Sequence, residues 1–122
     1  MNQSLAAALA LVREKRGCLT VAELSAAVHL SSSHLCALFQ RHIGLPPVRF
    51  LRNTRLEAAK ELLDHSSLSV KEIITRTGFR DRSHFIREFK KIYGTTPSRI
   101  RATRNLQTQT DADQSLAADA TP

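Results

Sequence analysis

At 122 residues and 42% apolar content, the chain has room for one modest core and not for the large enclosed pocket of an elaborate enzyme. All 18 Lys and Arg, but only 8 of the 11 Asp and Glu, fall within the first 104 residues; this excess of ten positive charges predicts attraction to a polyanion through release of condensed counterions. Cys18 and Cys36 form no CxxC pair and fit the reducing cytoplasm, and the apolar run from Leu5 to Val12 is too short to cross a membrane and is followed, not preceded, by its charges.

Leu5, Ala8, Leu9 and Val12 recur at helical spacing and Gly17 follows as a stop, which predicts a first helix over about 3–16. Thr20-x-x-Glu23 is a capping box ahead of Val21, Leu24 and Val28, marking a short second helix that ends near His29. Ser31 caps a third helix, about 32–43, with Leu35, Leu38 and Phe39 on one face and Gly44 as its stop. Pro47 opens a long fourth helix through Leu51, Ala58, Ala59, Leu62 and Leu63, ending near His65.

The same grammar then restarts. Ser69-x-x-Glu72 is a second capping box before Val70, Ile73 and Ile74, Gly78-Phe79 makes a turn, and Asp81 caps a sixth helix carrying Phe85, Phe89 and Ile92. Gly94 ends it, and Thr96-Pro97 opens a seventh helix to about Arg104. No segment alternates apolar and polar residues as a strand would, so the fold class expected is all-α with seven helices. The stretch 105–122 is dominated by Gln, Thr, Ala and Asp without apolar periodicity and reads as a disordered polar tail.

A shift of 49 positions pairs Leu19, Thr20, Val21 and Glu23 with Leu68, Ser69, Val70 and Glu72. After one extra residue in the second turn, a shift of 50 pairs Ser33-His34 with Ser83-His84, Phe39 with Phe89, Gly44 with Gly94, Pro47 with Pro97 and Arg49 with Arg99. Amphipathic spacing alone would not reproduce caps, stop glycines and the following prolines, so the chain reads as a tandem duplication. Each unit is a short capped helix, a tight turn and a second helix that opens on small polar residues, the helix-turn-helix pattern. The expected organisation is one DNA-binding domain over 1–104: unit one at about 5–45, a linker helix at about 47–64 and unit two at about 68–104. That linker, about 27 Å long at 1.5 Å per residue, approaches the roughly 34 Å between successive major-groove openings on one side of a duplex. A monomer could thus read an asymmetric site.

The string from Gly78-Phe79-Arg80-Asp81 through Ser83-His84-Phe85 to Phe89-Lys90-Lys91, followed by Gly94 and Thr96-Pro97, closely resembles the signature of the AraC/XylS-type transcription regulators. With Glu72-Ile73, the Arg55/Ala58/Leu62-Leu63 helix and the first unit, the resemblance spans about residues 5–104. It implies a transcription regulator that lays its third and sixth helices, about 32–43 and 82–93, into adjacent major grooves of double-stranded promoter DNA. RNA polymerase and an N-terminal effector or dimerisation domain are further partners it implies. The sequence departs from the family pattern at His29, where a glycine usually makes the turn but His visits the left-handed region more readily than most residues, at Ser25 and Ile74, where a small Ala is usual, and at Ala37 and Gln40, which stand where unit two has Arg87 and Lys90.

By motif position the base-reading residues are Arg82, Ser83, Ile86 and Arg87 on the sixth helix and Ser32, Ser33, Cys36, Ala37 and Gln40 on the third. Arg can bind guanine bidentately and Ile can meet a thymine methyl, whereas the small groups of unit one suit methyl contacts, water bridges or shape readout. Unit two is therefore expected to supply more of the base-specific energy. Ser31, Arg41, Arg49, Lys90, Lys91 and Arg99 are the expected phosphate contacts. Arg52, Arg55 and Lys60 on the linker read as solvated surface before anything else. His34 and His84 sit beside apolar positions and are expected to pack. No metal site is expected, because Cys18, Cys36, His29, His34 and His42 lack the close spacing of structural zinc ligands. No enzyme activity or cofactor is expected either: a Cys36 nucleophile would have no recognisable oxyanion-hole turn or orienting acid.

Overall fold

The computed structural model describes residues 2–106. Six helices run Gln3–Lys15 (α1), Val21–Ala27 (α2), Ser32–His42 (α3), Pro47–His65 (α4), Val70–Arg76 (α5) and Arg82–Tyr93 (α6). A seventh, α7, covers 97–106, and there is no strand among the described residues. The ends follow the chemistry of their caps. Thr20 Oγ1 accepts from the Glu23 amide at 3.0 Å while the Glu23 carboxylate accepts from the Thr20 amide at 3.3 Å. Ser69 and Glu72 repeat the exchange at 3.1 and 3.2 Å. Both boxes satisfy amides that the first turn of a helix leaves without partners.

The two helix-turn-helix turns are built alike. In the first, the His29 and Leu30 amides donate back to the Ala26 and Ser25 carbonyls; in the second, Gly78 and Phe79 donate to Thr75 and Ile74. The extra residue of unit two is therefore Arg80, inserted after the shared hydrogen bonds and before the Asp81 cap. His29 takes φ 59, the left-handed conformation that Gly78 takes at φ 81.

The apolar residues form two separate cores. One holds Leu5, Ala8, Val12, Leu24, Leu35, Leu38, Phe39 and Leu51; the other holds Leu56, Ala59, Leu63, Ile73, Ile74, Phe79, Phe85 and Phe89. Each fully buried Leu or Phe contributes about 1.5–3 kcal/mol by leaving water. The duplication reaches further than the paired capping boxes: Leu5, Ala8 and Val12 of α1 correspond, 51 positions on, to Leu56, Ala59 and Leu63 of α4. The first half of α4 accordingly closes unit one, through Pro47 and Leu51, and its second half does for unit two what α1 does for unit one. Helix α7, opening on buried Pro97, takes for unit two the place that the start of α4 takes for unit one.

Three boundaries differ from the sequence reading. Helices α1 and α3 stop at Lys15 and His42, each one residue early. Asn105 and Leu106, read as the start of the tail, are helical. The anchor for this last turn is Arg104, whose Nη1 donates to the Leu63 carbonyl at 2.9 Å and to that of Ser66, so that α7 ties down the end of α4. Periodicity carries no trace of such a contact across 41 residues. The rest of the expected tail, 107–122, lies outside the described residues.

Candidate nucleic-acid interface

Helices α3 and α6 each present one face to a core and the opposite face to solvent. On α3, Leu35 and Phe39 are fully buried, and on α6 the equivalent Phe85 and Phe89 are as well. The helical repeat then turns Ser32, Ser33, Ala37 and Gln40 outward on α3, and Arg82, Ser83 and Arg87 outward on α6. Cys36 and Ile86, which correspond across the repeat, are half-buried at the margin of that face. Ile86 packs against the second core, so only part of it is free to touch a ligand.

The first turns of both helices are fixed by short polar side chains. Ser31 Oγ accepts from the His34 amide at 3.1 Å, and Asp81 Oδ1 accepts from the Ser83 and His84 amides at 2.9 and 3.3 Å. These caps hold the outward residues of each helix in a defined orientation, with the positive end of the helix dipole alongside. Arg49 and Arg99 stand at equivalent exposed positions just after Pro47 and Pro97, and Arg41 and Lys90 are exposed on the last turns of α3 and α6. Among the described residues, Arg82, Arg87, Arg49, Arg99, Arg41 and Lys90 enter no ion pair. Their guanidinium and ammonium groups are therefore open to an anion. Lys91 differs: its Nζ lies 3.4 Å from Glu88 Oε1.

Glu88 is the hub of a small polar cluster on the flank of α6. Arg52 Nη1 of α4 approaches its carboxylate at 3.9 Å and His84 Nε2 at 3.8 Å. Burial pushes its pKa up, but the hydrogen bond and charge of Lys91, with the charges of Arg52 and His84, outweigh this and hold it below the ordinary carboxylate range. The two equivalent histidines part company here. His84 lies half-buried with its ring 6.4 Å from that of Phe79, whereas His34, expected to pack, is exposed because Leu38 fills the place of Glu88 and leaves it no polar partner.

Arg55, read from the sequence as solvated surface, is half-buried. Its guanidinium carbon sits 5.0 Å from the centroid of Phe79, on the HTH turn of unit two, and its Nε is buried without an acceptor. Burial lowers its pKa from the ordinary arginine value, with Cys18 acting against the shift and Arg52 adding to it. Lys60 likewise is engaged, paired with Asp64 and 5.8 Å from the Tyr93 ring centroid. The sequence carried no signal for this: Arg52 and Arg55 lie between Leu51, which faces the first core, and Leu56, which faces the second, and only packing shows that α4 passes from one unit to the other there.

Among the described residues no three His, Cys, Asp or Glu side chains gather as a metal-binding group, and no helix is long and apolar enough to cross a membrane. A family model described as a helix-turn-helix domain matches residues 24–103. The transcriptional activator RhaS of Salmonella arizonae is 41% identical over 76 residues, covering 62% of this chain and 27% of its own length. A Chromobacterium violaceum transcriptional regulator with an AraC-type DNA-binding domain superposes with a TM-score of 0.76 at 27% identity, over 83% of this chain and 91% of its own. The DNA-binding domain of the global transcriptional factor AdpA, solved with a target DNA, superposes with a TM-score of 0.79 at 27% identity, over 87% of this chain and 96% of its own. The chain spans about a third of the length of the curated relatives it matches.

Proposed function

This chain belongs to the AraC/XylS-type helix-turn-helix family, and we propose that it regulates transcription by setting the N-terminal turns of α3 and α6 into successive major grooves of a specific promoter duplex. One observation carries the proposal: two equivalent helices, each with a capped first turn and an outward polar face, flank a common 19-residue helix. At 1.5 Å per residue that helix is about 28 Å long, close to the roughly 34 Å between groove openings on one side of a duplex. Likeness to AdpA, whose DNA-binding domain was solved with a target DNA, supports binding to a specific duplex.

On this reading Arg82, Ser83, Ile86 and Arg87 of unit two and Ser32, Ser33, Cys36, Ala37 and Gln40 of unit one meet base edges. The Ser31 end of α3, Arg41, Arg49, Lys90 and Arg99 meet phosphates. Lys91 reaches a phosphate by leaving Glu88. Unit two supplies the larger part of base discrimination through its two unpaired arginines. The chain acts by binding and not by turnover, in the cytoplasm, and in longer relatives such a domain is accompanied by further sequence in which an effector or dimerisation domain, or contact with RNA polymerase, has room.

In vitro selection from random duplexes tests the proposal. The expected product is an asymmetric site of two blocks about one helical turn apart. Its affinity should fall steeply and linearly in log affinity against log salt, because several phosphates are neutralised together. Absence of enrichment even at low salt would remove DNA binding and leave an assembly adaptor; a strict palindrome bound by a dimer would remove the tandem reading.

A further inference from the structure

The two units approach each other outside α4 where their loops meet, and the proposed reading of DNA makes no use of this contact. Gly17 and Cys18, in the loop between α1 and α2, face Gly78 and Phe79, in the turn between α5 and α6, with Arg55 between them. A β-carbon placed on Gly78 would lie 3.6 Å from Cys18 Sγ, 3.8 Å from Arg55 Cδ and 3.9 Å from its Nη1. One placed on Gly17 would lie 3.0 Å from Arg55 Cγ and only 2.6 Å from the Leu51 carbonyl oxygen. No side chain fits at Gly17 where α4 and the Arg55 stem pass it, whereas at Gly78 a β-carbon would make ordinary van der Waals contact and glycine serves the positive φ of 81; the arginine stem thus runs through the seam against both units, and its planar head finishes over the Phe79 ring.

This arrangement resists a particular motion. A helix resists bending, and side chains that fill the space between the two units oppose rolling of one unit against the other about the axis of α4. A buried Nε without an acceptor weakens stability, so stability alone does not account for an arginine here. Its length and its flat head, which suits an aromatic face, do. Arg52, reaching Glu88 from one turn earlier on α4, acts in the same direction on α6.

We propose that Arg55 is a positioning residue which, wedged between Gly17 and the Gly78-Phe79 turn, fixes the angle between the two reading helices and thereby the half-site spacing the protein accepts. The inference rests on the DNA reading above. Two binding modules on one frame gain affinity from each other only when the frame holds both to the spacing of their sites, and a loosened frame loses affinity and discrimination by spacing together.

The experiment compares Arg55→Met, which keeps the stem and loses the planar head, with Arg55→Lys and Phe79→Leu. Folding is checked by circular dichroism, and affinity is read by fluorescence anisotropy on the selected site, on the same site with one base pair inserted between blocks, and on the unit-two half-site alone. Arg55→Met is expected to weaken full-site binding about tenfold, to leave half-site binding within about twofold, and to shrink the penalty for the inserted base pair from about thirtyfold to about threefold. Phe79→Leu should do the same, and Arg55→Lys should restore less than half of the spacing penalty. Folded variants that keep the parent's spacing penalty would overturn the proposal, and Phe79→Leu decides if Arg55→Met does not fold.

A second readout needs no DNA. Spin labels at His42→Cys and Ile92→Cys, equivalent exposed positions near the ends of α3 and α6, are introduced with Cys18 and Cys36 changed to Ser. Their distance distribution should broaden on Arg55→Met. An unchanged width would sink the brace whatever the DNA results, whereas a parent that selects no DNA site would sink the functional reading and leave the label distances to judge the brace.

Discussion

Unit one and unit two share their helices, caps and turn hydrogen bonds, yet they distribute polar groups in opposite ways. Unit one keeps Leu38 and Leu51 in its core and offers Ser32, Ser33, Ala37 and Gln40 on its outer face. Unit two has Glu88 and Arg101 at the two corresponding core-side positions and Arg82 and Arg87 outside. The Nε and Nη2 of Arg101 are buried without acceptors. Phe79, Phe85, Phe89 and Tyr93 make up the lost apolar contact in an aromatic chain with centroid spacings of 4.9, 5.7 and 4.6 Å. A duplicated fold can thus hold two units to one backbone plan while one is drier inside and the other better equipped to attract an anion.

The sharpest test of their equivalence is in the cores. Phe39 and Phe89 correspond and neither has exposed surface, so Phe39→Ala and Phe89→Ala should each cost about 3–5 kcal/mol in denaturant unfolding. A Phe89 variant well below that range would mean that its aromatic neighbours close the cavity, breaking the symmetry of the comparison.

Outer faces come next. Arg87→Ala should lose about 1–3 kcal/mol of discrimination between the selected site and its base variants, while Gln40→Ala should lose less. Installing the unit-two residue by Ala37→Arg should add a base preference under unit one. If Arg87→Ala weakened every sequence alike and Ala37→Arg changed none, the ranking of the units would be wrong.

Arg101→Leu gives unit two the residue that unit one has at Leu51. Removing a buried guanidinium with two unpaired nitrogens should stabilise the fold by about 1–2 kcal/mol, read from the denaturant midpoint. Destabilisation would show that the group finds partners in solution.

The smallest effect concerns pH. Glu88 is held below the ordinary carboxylate range in the folded state, so its contribution is complete above the unfolded carboxylate pKa and disappears as pH falls through the lower folded one. The tie is partly solvated and worth under about 1 kcal/mol. Glu88→Gln should flatten the acid limb of the stability profile by that amount, and Leu38 of unit one provides no counterpart; an identical acid limb in the variant would remove Glu88 from the account.

Much of this protein is written in short-range signals. Thr20-x-x-Glu23, Ser69-x-x-Glu72, Ser31, Asp81 and the stop glycines act over three or four residues, so they set helix ends from local chemistry alone. The helical repeat likewise places Leu35 and Phe39 inward and Ser32, Ser33 and Gln40 outward without reference to the rest of the chain. From these the all-α fold, the duplication and the outward faces of α3 and α6 were legible. What was not legible depends on segments distant in sequence. The double duty of α4 follows from two cores closing on opposite halves of one helix, and Arg104 reaches back 41 residues to the end of α4. Arg55, one more charge on an amphipathic helix when read alone, becomes a brace only because two glycine turns, one from each unit, are brought against it. Caps and periodicity belong to the chain because their partners are neighbours along it, whereas the partners of Arg55, Glu88 and Arg104 are chosen by packing.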